Sequence, residues 1–572
     1  MSSEQLLQKT DILCLTNYVW NQTYNDGISM YYKKINPNGI VLYGGASVPE
    51  HKDYAQSYAQ DRPYVDLFFV GPGEITLKNY LKNIDNDITT HEGTFSQSHN
   101  NIVVDKSMYL IKAEDIPDPY ILGIFDEIIN NIDKKSIGIT FESTRGCPFR
   151  CSFCDWGSLT YAKVKKFPEE KVYQEIEWLG ANKIEYIFMA DANFGIFPDR
   201  DMAITDYILD VQARTGYPAT VNANWHKNSK QNVIEIVKKF ISNGFNRGMT
   251  LSVQSMDDDV LKIIKRKNMQ SSHLGAMMDL LNSEGIGSYT ELILPLPGET
   301  TETWRNGLAQ VLDIGQHNSI EIWFHQILEN AQSNQPDHKN EFGFDTVKLP
   351  DYVMGDPEPD HQQHISEVTE VVCSTNTMTY DEFLDCWMYA WMIINFHVGG
   401  WSQVITRYND KQQIMAYKTA YERLYAAICN DDGICGAMYK KTRKMLDNYL
   451  QNNELSDGAS GHTLFWFANR TLHKHHNEVM DFILGVFGEE NTQLGNAQRY
   501  FVTNIDNEYP INIELDNNYY EFISSKDTEL TNKTQKYSLN VEKNWNSDQQ
   551  YIEWLYFRRR QGFGKCKWSE MI

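Results

Sequence analysis

The sequence is short of positive charge: Lys and Arg number 52 against 76 Asp and Glu, for a net charge of −24. A polyanionic backbone meets a repulsive average field from such a chain, which argues against nucleic acid as a partner. Arg558-Arg559-Arg560 is the one obvious basic run, and a solvated helix end is its plainer reading. Long apolar runs are missing too. The best candidate, Phe383 to Val398, falls short of the roughly 18 residues of a membrane span. It also contains Asp385, so a buried helix is expected there. The N-terminus, Met1-Ser2-Ser3-Glu4-Gln5, has neither the basic region nor the apolar run of a secretory signal. Nine cysteines form no disulfide framework of the secreted kind. Together these absences predict a cytoplasmic protein without membrane attachment. At 572 residues there is room for about three or four domains of roughly 150 residues each.

What is present is Phe141-Glu142-Ser143-Thr144-Arg145-Gly146-Cys147-Pro148-Phe149-Arg150-Cys151-Ser152-Phe153-Cys154-Asp155-Trp156-Gly157, with three thiols in a Cys-x3-Cys-x2-Cys spacing. Three thiolates this close can hold one face of an iron-sulfur cluster. A closed cluster or a structural zinc would take four ligands. No fourth cysteine lies nearby, which leaves one iron open to an incoming ligand. Zinc completed by a distant residue, or three unrelated buried cysteines, are the alternatives.

Around this run the periodicity is that of an α/β protein. Asp11–Leu15, Gly39–Gly45 and Val65–Gly71 are short apolar runs bounded by turns, suited to buried parallel strands. A helix over Ile75–Leu81 follows the tight turn Gly71-Pro72-Gly73-Glu74. Asp115-Ile116-Pro117-Asp118-Pro119 marks a break. Beyond it, strand-like runs at Ile137–Glu142, Tyr186–Asp191, Ala219–Ala223, Gly248–Val253, Ser288–Leu294 and Ile320–Gln326 alternate with helical stretches such as Glu169–Leu179, Asn232–Ile241 and Thr303–Ile314. Such alternation argues for parallel strands with right-handed crossovers. After Asn330 the pattern stops. About 240 residues of mixed helix and loop remain, including the β-branched run Val368–Thr377 and an aromatic-rich helix from Tyr380.

The cysteine run resembles the signature of the radical S-adenosylmethionine (SAM) enzymes. That resemblance implies a 4Fe-4S cluster on Cys147, Cys151 and Cys154 whose open iron binds SAM, cleaved to a 5'-deoxyadenosyl radical. It also implies the fold: a partial (β/α)6 TIM-like barrel over 137–330, with ligands at the carboxyl ends of its strands. A Rossmann-like α/β domain similar to cobalamin-binding domains would occupy 1–115, a connector 116–136, and a mostly helical substrate and donor region 331–572. The Asp-x-His-x-x-Gly cobalamin motif is absent, so a vestigial and a working cobalamin domain are both open.

Carried over residue by residue, the resemblance puts Phe153 against the adenine, Ala190, Asp191 and Asn193 at the SAM amino group, and Ser252 and Gln254 near its ribose or carboxylate. The turn at Pro295, where the family more often has glycine, would close over the adenine. His325 reads as a core histidine. The overall pattern most resembles the peptidyl epimerases of the proteusin type, which install D-residues in ribosomal precursor peptides. In that reading Cys373 returns a hydrogen to the far face of a Cα radical, while Cys14 and Cys386 are packing thiols. Flavodoxin or ferredoxin would supply the electron. A cobalamin-dependent C-methyltransferase and a non-catalytic iron-sulfur or SAM-binding scaffold are the alternatives.

Overall fold

The computed structural model describes residues 3–84, 93–102, 112–132, 137–157, 163–226, 231–245, 249–283, 286–351, 367–452, 471–502 and 510–539. Arg558–Arg560 and Cys566 lie outside them. The chain divides into two compact units: 1–224 with 264–266 and 325–372, and 225–263 with 267–324 and 373–572.

The first unit opens with strands β1 (Ile12–Thr16), β2 (Ile40–Gly44), β3 (Leu67–Phe69), β4 (Thr94–Phe95) and β5 (Asn100–Asn101), hydrogen-bonded in that order. β1, β2 and β3 are parallel, while β4 and β5 return antiparallel. Strand alternation sorts the side chains between two cores. Leu13, Leu15, Val41, Tyr43 and Phe68 face a cluster with Tyr32, Ala55, Tyr58 and Ala59 from the helices Gln22–Ile35 and Lys52–Gln60. Ile12, Ile40, Leu42, Leu67 and Phe69 face Leu77 and Tyr80 of the helix Gly73–Lys82. Because the parallel strands follow sequence order, both right-handed crossovers land on one face. The other face receives a single helix. This departs from the Rossmann order, which reverses at a switch point.

The same unit continues through β6 (Gly138–Phe141), the antiparallel pair β7 (Thr144–Arg145) and β8 (Lys165–Lys166), β9 (Tyr186–Phe194) and β10 (Thr220–Trp225). β9 lies between β10 and β6 and is parallel to β6. It runs three residues past the expected end at Asp191, so Asp191 and Asn193 lie in the strand rather than in a turn after it. The pair Asp345–Asp351 and Glu367–Ser374 closes the unit where a polar loop and one strand were expected.

In the second unit β11 (Met249–Gln254), β12 (Ser288–Leu294) and β13 (Ile320–Phe324) form a parallel sheet. Among the described residues the six core strands therefore fall into two three-stranded sheets. The aromatic helix Tyr380–Met392, buried from Cys386 on, continues as a π-turn over Ile393–Val398 whose residues are all buried. Asp385, its one acidic group past the first turn, is ion-paired with Arg305 at 2.6 Å and accepts from the Tyr425 hydroxyl at 2.7 Å. No helix among the described residues is long and apolar enough to cross a membrane. The C-terminal part, expected to be mostly helical, also carries the antiparallel pair Ile511–Leu515 and Gln535–Leu539.

Glu299, in the turn after β12, is 1% exposed and accepts hydrogen bonds from Ser255 at 3.0 Å and Thr303 at 2.5 Å. Burial nevertheless pushes its carboxyl up from 4.5 to about 7. Between those values the unfolded chain releases this proton while the folded chain keeps it, so the group's contribution to stability falls as pH rises from 4.5 to about 7. Glu299→Gln should therefore melt close to the wild type near pH 5 and above it at pH 8. Thermal melts in the two buffers test this, and a gap independent of pH would refute it.

Candidate functional site

The cysteine loop is held by strands and side chains of the first unit. Asp191, fully buried on β9, accepts from the backbone N–H of Ser143 at 2.9 Å, from the Ser143 hydroxyl at 2.7 Å and from the Thr144 hydroxyl. Its neighbour in the network, Arg200, donates to the carbonyls of Ser143 at 2.9 Å and Phe167 at 3.0 Å and pairs with Asp201 at 3.3 Å. Asp201 in turn accepts from the N–H groups of Gly195 at 2.8 Å and Phe197 at 3.0 Å, fixing the turn that leaves β9. Farther along, Ser152 N–H donates to the Ile264 carbonyl at 2.9 Å, and the Ser152 carbonyl accepts from Ser333 N–H at 2.8 Å. The loop that carries the thiols is thus anchored before, within and after the triplet.

Of that triplet, Cys147 and Cys151 are buried and Cys154 is partly exposed. The side-chain amide of Asn193 donates to Cys147 Sγ at 3.3 Å, and its Oδ1 is buried without a partner among the described residues. Phe153 is half-buried. At Asp191, where a SAM amino group was expected, the carboxylate accepts from three donors of the residues that lead into the cysteine loop. Burial raises its pKa, and those three hydrogen bonds oppose the shift.

A cavity of about 860 Å³ opens at the carboxyl ends of β1, β2 and β3 and reaches the cysteine loop. Thr16, Gly44, Gly45, Gly71 and Gly73 line it on the side of the N-terminal sheet, and Glu142, Arg145, Gly146, Ala190 and Ala192 on the other. Cys14 also lines it and is exposed, so the expectation of an inert packing thiol is corrected. Tyr18 and Trp20, from the loop after β1, stack at 4.6 Å and border the same space. Gly45, at φ +99°, lies so close to Asn17 that an added Cβ would sit 2.6 Å from its carbonyl oxygen. At Gly73 an added Cβ would meet nothing within 4 Å. Arg145 spans the cavity wall, with Nη1 2.7 Å from Glu74 and Nη2 2.8 Å from Glu142. A smaller cavity of about 370 Å³ opens on Cys151 and Cys154, beside Arg150, Lys265 and Glu329.

Sequence reasoning missed Asn330, whose amide donates to the carbonyls of Ala46 at 2.8 Å and Val48 at 2.9 Å and accepts from Glu50 N–H at 2.7 Å. Nothing in its local sequence signals this. In the second unit the Ser252 hydroxyl donates to the Glu291 carboxylate. Gln254 ends β11 at φ +67°, after a register shift, with Oε1 buried and unpartnered. A side chain in that left-handed region is strained, and such strain gathers at functional sites. His325 is buried against Phe344, as a core histidine would be. Cys373 is 3% exposed within the strand Glu367–Ser374.

Residues 141–309 match the family model for the radical SAM superfamily. Among curated proteins, 2-(S-pantetheinyl)-carbapenam-3-carboxylate methyltransferase of Streptantibioticus cattleyicolor is 33% identical over 452 residues, which cover 78% of this chain and 65% of that protein. The cobalamin-dependent radical SAM methyltransferase TokK of Streptomyces tokunonensis is 32% identical over 447 residues, 77% of this chain and 65% of TokK. The chain thus spans 65% of the length of each. Among solved structures, the radical SAM methyltransferase TsrM of Kitasatospora setae, with cobalamin and a [4Fe-4S] cluster bound, aligns at 12% identity and a TM-score of 0.46, over 67% of this chain and 81% of TsrM. These relatives overturn the epimerase expectation, because both curated proteins are named as methyltransferases. That expectation singled out Cys373 as a hydrogen donor, and a cysteine buried in a strand is equally what packing produces. The D-residue product, the proteusin precursor peptide and the donor role of Cys373 fall with it.

Removing the Asp191 carboxylate would strand three donors in a buried site. Hydrogen bonds to a charged group contribute about 1.5–3 kcal/mol each, so Asp191→Ala should melt well below the wild type and take up less iron on anaerobic reconstitution. Full iron uptake with an unchanged melting temperature would show that the carboxylate does not hold the loop.

Proposed function

We propose that this chain, whose residues 141–309 form a radical SAM domain, is a cobalamin-dependent methyltransferase in which Cys147, Cys151 and Cys154 hold a 4Fe-4S cluster. The observation that carries this reading is the cavity joining the carboxyl edge of the N-terminal sheet to the cysteine loop. Its volume of about 860 Å³ suits a bulky cofactor, and glycines at 44, 45, 71 and 73 let backbone approach a ligand closely. Names of the two curated relatives point the same way.

When bound, the cluster and SAM supply a carbon-centred radical that removes a substrate hydrogen, and cobalamin supplies the methyl group. Everything else falls to the protein. With three thiols as ligands, a cluster would keep one iron without a protein ligand, where SAM could bind. The backbone near Ala190 would lie toward it, and Phe153 precedes the third thiol. Arg145, clamped between Glu74 and Glu142, keeps a fixed positive charge at the cavity wall. The loop after β1 reads Asn17-Tyr18-Val19-Trp20 and offers aromatic faces instead of an imidazole. Among the described residues that line this cavity there is no histidine. A one-electron donor such as flavodoxin or ferredoxin would reduce the cluster, and the smaller cavity gives Cys151 and Cys154 a route to the surface.

Protein reconstituted anaerobically with iron, sulfide and cobalamin should take up one corrinoid per chain. With SAM and a reductant it should release S-adenosylhomocysteine as well as 5'-deoxyadenosine. Gly73→Phe, which would fill open space at the cavity wall, should keep its iron and lose the corrinoid. Formation of 5'-deoxyadenosine alone, by wild-type protein that binds no corrinoid, would reject the assignment.

A further inference from the structure

We propose that Asn193 sets the reduction potential of the cluster by donating a hydrogen bond to the thiolate of Cys147, an inference that rests on Cys147, Cys151 and Cys154 being its ligands. The amide nitrogen lies 3.3 Å from Cys147 Sγ, within hydrogen-bonding range for sulfur. Both residues are 2% exposed. Water therefore does not compete for the sulfur from this side, and the low dielectric strengthens the bond.

Two features make the contact specific. The first is direction: a metal-bound thiolate can only accept, so the amide must present its NH2 group and not its oxygen. Among the described residues Oδ1 has no partner that would turn the amide the other way. The second is register. Asn193 is two residues beyond Asp191 on β9, and alternation puts both side chains on one face of the strand. Asp191 fixes Ser143 and Thr144 at the start of the cysteine loop, and Asn193 meets Cys147 at its first thiol. Both contacts with the cysteine loop therefore come from one face of β9.

Reduction adds one electron to the cluster and increases negative charge on its sulfurs. An N–H donor stabilises that added charge, so it favours the reduced form and raises the potential. A leucine of similar size removes the donor and keeps the packing. Asn193 is on this account a positioning residue that acts through Cys147, and a purely steric role would leave the potential where it is.

The test is a redox titration of full-length, anaerobically reconstituted protein without substrate, using dithionite and mediators, read by electron paramagnetic resonance. At the wild-type midpoint, the ratio of reduced to oxidised cluster should fall about fivefold in Asn193→Leu, the weight of one hydrogen bond. The wild type should also show an exchangeable proton coupled to the reduced cluster, absent from the variant. Should the leucine variant fail to hold iron, Asn193→Val is titrated instead. It suits a strand, removes the donor and adds no charge, so a shift to lower potential supports the proposal and an unmoved midpoint overturns it. Four irons per chain in Asn193→Leu with the wild-type midpoint and proton coupling overturn the proposal alone. A wild-type protein that takes up no iron overturns the ligand assignment and the proposal with it.

Discussion

The carboxylate of Asp191 is the constraint on which the cysteine loop depends. It gathers one backbone and two hydroxyl donors from the two residues that lead into the loop, so the path of the chain toward Cys147 is decided on a neighbouring strand. Arg200 and Asp201 extend the same control to the turn beyond β9 and to the carbonyl of Phe167. These ionisable groups lie inside the protein, where an unsatisfied one is costly, and they remain there because each is paired or hydrogen-bonded.

The N-terminal sheet provides the complementary half of the site by its topology. With its parallel strands in sequence order, two helices crowd one face and one helix covers the other. Cys14, Leu42, Phe69 and Leu77 consequently border the cavity from the less crowded face. The glycines at the strand ends keep the opening shallow in side chains, so the space continues toward Arg145 and Gly146.

Much of this was legible in the sequence, because local pattern decides it. The short apolar runs became β1, β2 and β3 within a few residues, and Ser288–Leu294 matches β12 at both ends. The Cys-x3-Cys-x2-Cys spacing located the loop. Asp191 was placed at the right strand, but its bonds to Ser143 and Thr144 could not be read, since an acid near a strand end looks the same whether it meets a ligand or its own chain. Gln254 was chosen by resemblance, while its left-handed backbone and unpartnered Oε1 appear only in three dimensions. Sheet order could not be read either, because periodicity identifies strands without saying which are neighbours. The epimerase reading leaned on one cysteine, and a single thiol carries too little pattern to identify a reaction.

The helix Gln22–Ile35 has no side-chain cap of its own at Asn21. Its exposed N–H groups at Thr23 and Tyr24 are met by the carboxylate of Glu367, at 2.7 and 2.9 Å, from 344 and 343 residues along the chain. Asn330 closes the loop after β2 from a similar sequence distance. The N-terminal sheet is therefore not a detachable module: severed after the connector, it would lose a helix cap and a loop clamp together. Transplanting it onto another core would require bringing those two distant residues with it.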